Sequence, residues 1–150
     1  MKLHIEESSD FEEVDITIKC PSVDKELSKL IEKIRLYGFA LLCRKDETTY
    51  LIKPSDIFYV ESIDDKTYVY CKQEVYCSDL KLYEMEDKLP LNIFIRVRKN
   101  CILNMNCINN FKSRLNGKIE ACLDNEEKIE ISRHYVVGLK TKFTEVEARK

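Results

Sequence analysis

The sequence predicts a β-rich α+β fold, with about ten short strands preceded by a ββα N-terminal unit. Three observations carry the prediction. From residue 39 onward the apolar residues come in short runs broken by turn-forming residues, helical spacing recurs in only three stretches, and Asn116-Gly117 separates two strand-like runs. The size is sufficient for such a fold. A chain of 150 residues, 44% hydrophobic, buries roughly 68–70% of the surface its unfolded form exposes, so its core requires neither disulfide nor metal.

In chain order, residues 2–6 and 14–20 read as strands, the second because Val14, Ile16, Ile18 and Cys20 alternate with Asp15, Thr17 and Lys19. A helix follows. Ser22 is its expected N-cap, Val23, Leu27, Leu30, Ile31 and Ile34 recur at 3.6-residue spacing, and Gly38 is the expected stop. Strands are then predicted at 39–44, 48–53, 57–61, 67–72 and 74–77, divided by Asp46-Glu47, Pro54-Ser55-Asp56, Asp64-Asp65 and Lys72-Gln73. A second helix is capped by Ser78, aligns Leu82, Met85 and Leu89, and is closed by Pro90.

Strands resume at 93–98, 102–103, 107–115, 118–123 and 128–131. Alternation along 93–98 sets Ile93, Ile95 and Val97 on one face and Phe94, Arg96 and Arg98 on the other. Asn116-Gly117 suits a type I′ hairpin turn, because both residues tolerate positive φ. A last helix is expected over 135–143. The chain divides accordingly into an N-terminal extension, 1–44, and a β-rich domain, 45–150.

The net charge of −2 conceals an asymmetry. Residues 1–40 carry −3, residues 41–93 carry −4 and residues 94–150 carry +5. Between 94 and 119 stand Arg96, Arg98, Lys99, Lys112, Arg114 and Lys118 without one carboxylate, the pattern of a polyanion-binding surface attached to an acidic remainder.

Other chemistries find little support. The N-terminus has no apolar signal core and no apolar run reaches membrane-spanning length, so the expected location is cytoplasmic. There the seven cysteines are expected as thiols, and none forms a C-x-x-C or C-x-x-H pair. The two histidines, His4 and His134, belong to no local Ser/His/Asp or Cys/His set, and no phosphate loop, dinucleotide fingerprint or H-E-x-x-H is present. The expectation is no enzyme, no cofactor and no small-molecule substrate. Asp64-Asp65 and Asp124-Asn125-Glu126-Glu127 read as solvated turns.

The basic segment is chemically specific. Lys99-Asn100 forms a tight connection rich in donors, and Arg or Lys can donate to guanine O6 and N7 while Asn can pair with adenine. Lys112 and Arg114 share one face of their strand and suit phosphates, and Ser132-Arg133-His134 precedes the last helix, with Ser132 its candidate N-cap at an N-terminus that favours anions. Four landmarks follow in order: Ile57-Phe58-Tyr59-Val60-Glu61-Ser62, the helix 80–89, Phe94-Ile95-Arg96-Val97-Arg98-Lys99-Asn100-Cys101-Ile102-Leu103-Asn104, and Ile131-Ser132-Arg133-His134-Tyr135-Val136. With these the chain resembles the LytTR DNA-binding domain family over about residues 45 to 145, in the form of its stand-alone members.

The resemblance implies a bacterial transcriptional regulator that inserts loops, rather than a recognition helix, into successive major grooves of double-stranded DNA. It implies base contacts at Lys66 or Thr67, at Arg98, Lys99 and Asn100, and at Arg133. Phosphate contacts are expected from Arg96, Lys112, Arg114, Lys118, Ser132 and His134. Two departures stand out: Asn100 occupies a position usually held by Ser, and the first loop offers Lys66-Thr67 where a histidine is usual. Paired or repeated sites, a homodimer and a small membrane-protein partner are further implications, with residues 1–44 serving dimerisation, sensing or docking. Two other readings fit the same residues: a protein-interaction module using the basic face, and a thiol-based sensor using exposed Cys101 or Cys107.

Overall fold

Tight turns with left-handed backbone set the strand register. Asp46, Asp64, Asp65, Asn116 and Glu126 all have positive φ, as does Gly117, and Asp, Asn and Gly are the residues that tolerate this region best. Each lies where the sequence predicts a break. In the computed structural model, which describes residues 1–36, 39–91 and 93–148, such turns link strand β1 (Leu41–Lys45) to β2 (Thr48–Ile52) and β3 (Ile57–Ile63) to β4 (Lys66–Cys71), which β5 (Val75–Ser78) follows. Helix α2 (Leu82–Lys88) intervenes, preceded far upstream by α1 (Lys25–Leu36). Then come β6 (Phe94–Arg98), β7 (Cys101–Asn104), β8 (Ile108–Ser113), β9 (Ile119–Leu123), β10 (Lys128–Ile131) and α3 (Arg133–Ala148). The β-rich α+β class is as predicted.

Two sheets result. A seven-stranded antiparallel sheet has the order β2-β1-β5-β4-β3-β7-β6, and β10-β9-β8 form a three-stranded one. The large sheet is covered on both faces. On one, Ile57, Val60, Val69, Phe94 and Ile102 pack under Leu82, Met85 and Leu89 of α2. On the other, Tyr59, Val97, Cys101 and Leu103 meet Ala121, Leu123, Ile129 and Ile131 of the small sheet and Val136 and Leu139 of α3.

Double coverage explains why β7 is buried at all four positions. Ile102 serves one core while Cys101 and Leu103 serve the other. In β3 a register shift between Ile57 and Tyr59 inserts Phe58 as an extra residue, so Phe58 and Tyr59 both enter the second core while Ile57 and Val60 enter the first. Asn104, 2% exposed, is held in this interior: its amide nitrogen donates to the Ile57 carbonyl at 2.8 Å and its Oδ1 accepts from the Asn106 amide at 2.9 Å.

The N-terminal ββα unit is corrected in its strands. Residues 1–24 contain no strand, although α1 forms. Val14, Ile16 and Ile18 are 68%, 50% and 38% exposed: alternation supplies an apolar face, but a strand also needs a neighbouring edge for its backbone groups. Asp24, not Ser22, caps α1, its Oδ1 accepting from the Leu27 amide at 2.8 Å. The stop expected at Gly38 lies outside the described residues.

Two other helix starts differ. Helix α2 begins after Lys81, whose amide donates to the Glu84 carboxylate at 3.0 Å, while Ser78 accepts from Leu80 one turn earlier. Helix α3 starts at Arg133, two residues before the expected position, so Ser132 directly precedes it.

Candidate nucleic-acid interface

Antiparallel pairing brings the segments that carry Lys66 and Lys99 to one end of the molecule. The pairing of β3 with β7, Glu61 opposite Cys101, sets the β3–β4 turn beside the β6–β7 turn. Two bonds join them: the Ser62 amide donates to the Asn100 carbonyl at 2.9 Å, and the Asn100 side-chain amide donates to the Ser62 carbonyl at 3.2 Å. The start of α3 is tied to the same end by the Ser132 amide, which donates to the Val97 carbonyl at 3.0 Å. The β8–β9 turn closes the group. A Cβ at Gly117 would lie 3.2 Å from both Cγ and Cδ of Arg133, so the Arg133 stem rests against a backbone that only glycine leaves open.

Lys66, Lys99, Asn100, Arg133 and His134 are all exposed on these segments. Lys66, Lys99, Arg133 and His134 can reach a polyanion from this end, while the Asn100 amide is engaged with the Ser62 carbonyl and Asp64 and Asp65 are exposed beside Lys66 in the two-residue turn that joins Ile63 to Lys66. Thr67 is placed differently. It is 3% exposed opposite Ser78, because β4 turns it inward.

Arg96 and Arg98 do not share a face. A register shift between them makes Val97 an extra residue, which reverses the alternation expected for 93–98 at its last position. Arg96 pairs with Glu86 of α2 on one side. Arg98 pairs with Glu61 at 3.2 Å on the other. Burial works against the Arg98 charge, but the hydrogen bond with Cys101 and the nearby Glu61 and Glu130 carry its pKa upward. Ile93 also differs, joining Phe94 in the core under α2.

The β8–β9 hairpin presents a mixed surface. Arg114 pairs with Glu120 at 2.9 Å and Lys118 with Glu130 at 3.2 Å, while exposed Lys112 stands opposite Glu120 in the register. The Arg114 hydrogen bond holds the Glu120 carboxyl below the usual carboxylate range. Sequence reasoning missed these carboxylates. Glu120 was only roughly placed by it: a two-residue turn at Asn116-Gly117 would set Glu120 opposite Ser113, whereas the three-residue connection Leu115–Gly117 sets it opposite Lys112. Glu86 was not placed, because its meeting with Arg96 depends on how α2 crosses the sheet.

The thiol-sensor reading is corrected here. Cys101 is fully buried and Cys107 is 7% exposed, because both face the core of a doubly covered sheet. Burial pushes each thiol up to about 11, against the low values that make a cysteine reactive. Among the described residues no three His, Cys, Asp or Glu side chains cluster as a metal site, and no helix is long and apolar enough to cross a membrane.

Residues 47–144 match the family model of the LytTr DNA-binding domain. The chain is 29% identical over 137 residues to the sensory transduction protein LytT of Enterococcus faecalis, covering 89% of this chain and 57% of that one. It is 32% identical over 95 residues to LytT of Bacillus cereus, covering 63% and 39%. The chain thus spans about half the length of these curated relatives or less. A Staphylococcus aureus protein named as an HTH-type transcriptional regulator is 25% identical over 146 residues and matched over 96% of this chain and 99% of its own. In fold, the LytTr DNA-binding domain of a putative methyl-accepting/DNA response regulator from Bacillus cereus superposes with a TM-score of 0.67 at 24% identity, covering 71% of this chain and 98% of that one. With a matched segment that runs from β2 into α3, the chain belongs to the LytTR DNA-binding domain family.

Proposed function

We propose that the protein is a sequence-specific transcriptional regulator that reads double-stranded DNA with turns rather than a helix, entering successive major grooves from the end that carries Lys66, Lys99 and Arg133. The observation that supports this most directly is the hydrogen-bonded grouping of three segments distant in sequence, through Ser62 to Asn100 and Ser132 to Val97. Each segment offers an exposed cation. Lys99 with Asn100, and Arg133, are the base readers; Lys66 is the reader of the first turn. Ser132, His134, Lys112, Arg114 and Lys118 flank them toward phosphates, the last two exchanging their carboxylate partners for the backbone of DNA. In this reading the protein acts in the bacterial cytoplasm as a homodimer on paired sites. Residues 1–44 serve dimerisation, sensing or docking, including docking to a small membrane protein, and 45–150 bind DNA.

Selection of bound duplexes from a random pool tests this directly. The expected result is an enriched motif, with affinity falling with salt at a log–log slope of about −0.9 per phosphate contacted. Lys99→Ala and Arg133→Ala are each expected to cost about 1–3 kcal/mol of discrimination between the selected and random duplexes. Lys112→Ala is expected to weaken all duplexes alike. A pool that enriches nothing at low or moderate salt rejects the reading in favour of a protein-binding role for the basic face.

A further inference from the structure

Arg96 was expected to meet phosphate, yet its guanidinium is committed inside the molecule. Its Nη1 donates to Glu86 of α2, its Nη2 donates to the carbonyl of Lys99, and its Nε donates to the carbonyl of Arg98 at 3.2 Å. All three nitrogens are engaged, and the side chain is only 24% exposed. The two carbonyls belong to the β6–β7 turn. They lie just beyond the extra residue Val97, where the ladder is disrupted and carbonyls lose their cross-strand donors. A planar, five-donor fork can satisfy two turn carbonyls and a carboxylate together; a lysine ammonium cannot hold that geometry.

The geometry points to Arg96 and Glu86 as a positioning pair: Arg96 fixes the backbone of the Lys99-Asn100 turn, and Glu86 fixes Arg96, so that helix α2 sets the aim of Lys99 without touching DNA. The inference rests on the reading of Lys99 as a base contact. Its physical content is preorganisation. A turn already held in its binding geometry loses less freedom on association, and a bidentate contact to a base edge is lost when its donor is misplaced. Helix α2 is itself fixed, with Met85 and Leu82 buried in the core below it. Glu86 therefore presents its carboxylate from a rigid element.

Glu86→Gln separates this role from simple electrostatics, because a charge effect leaves the ratio of specific to random affinity unchanged and a positioning effect lowers it. Removing a carboxylate near a DNA-binding surface should strengthen binding to every duplex if charge alone matters. If Glu86 positions Arg96, the ratio of specific to random affinity should fall about three- to tenfold, with the salt slope unchanged. Arg96→Lys supplies the second arm, since it keeps the charge and loses the fork. A phosphate contact would survive that change, and Arg96→Ala would then lower the salt slope by about 0.9; a positioning role predicts lost discrimination in both variants at constant slope. Circular dichroism and thermal melting of Glu86→Gln, whose side chain is 41% exposed, establish that it folds. Lys99→Ala is the control for the underlying reading. If it abolishes discrimination while Glu86→Gln preserves or improves it, the positioning role is overturned. If Lys99→Ala leaves discrimination intact, the base-contact reading fails and the inference falls with it.

Discussion

Residues 14–20 and strand β10 carry the same alternation of apolar and polar side chains, and only one of them is a strand. Ile129 and Ile131 of β10 are 6% and 0% exposed, whereas Ile16 is half exposed. What differs is the neighbour. Strand β10 lies against β9 in full register, Lys128 opposite Cys122 through Ile131 opposite Ile119, while residues 14–20 meet no edge in the described chain. Period-2 patterning is thus a statement about one face, and pairing must supply the rest.

This contrast is sharpest in thiol chemistry. Cys20 is exposed, and Cys43 and Cys101 are fully buried. Labelling of the native protein should modify Cys20 at once and the buried pair at least about 10³-fold more slowly, since they react through global opening at ordinary domain stabilities. Mass spectrometry of timed samples reads this out, and equal rates would erase the distinction between the regions. Burial also raises Cys43, Cys71, Cys101 and Cys107 from 9.0 to about 11. Below pH 9 both folded and unfolded forms keep these protons; between 9 and 11 the unfolded chain loses them first. Stability should therefore decline across that window and not below it, as measured by urea unfolding at stepped pH.

Truncation comes next in size. Leu103→Ala, fully buried between β7 and the second core, should cost about 2–5 kcal/mol by chemical denaturation, whereas Ile16→Ala should change stability by less than about 0.5 kcal/mol. Asn104→Ala removes two hydrogen bonds, leaving the Ile57 carbonyl to the weak Cys107 thiol donor at 3.8 Å and the Asn106 amide without its side-chain acceptor; about 1–3 kcal/mol is expected. Gly117→Ala should cost about 1–2 kcal/mol, because φ is +75° there and the new Cβ would press on the Arg133 stem. A melt of that variant indistinguishable from the parent would show that the turn relaxes freely and that Arg133 is not held by it.

The fold was largely legible in the sequence because its signals are local. Asp46, Asp64-Asp65 and Asn116-Gly117 mark their turns by side-chain chemistry, and Leu82, Met85 and Leu89 mark α2 by spacing. The site was legible in part. Lys99 and Arg133 are exposed, as the proposed contacts require, but the burial of Thr67 and the opposite facing of Arg96 and Arg98 were not foreseeable. Each follows from a tertiary event: the strand pairing of β4 with β5, and one extra residue at Val97. Alternation predicts facing only where the ladder is unbroken, and β6 breaks it next to the turn proposed to read bases.

The order of the large sheet also has a kinetic meaning. Strands β1 with β2, β3 with β4 and β5, and β6 with β7 are ribbons of sequence neighbours; only β1 with β5 and β3 with β7 join distant segments. Ribbons of this kind close in microseconds, while long loops are slow to close. The rate of reaching the native state should then be set by the seam where Tyr59 meets Leu103, which is also the seam that brings the first two basic turns together.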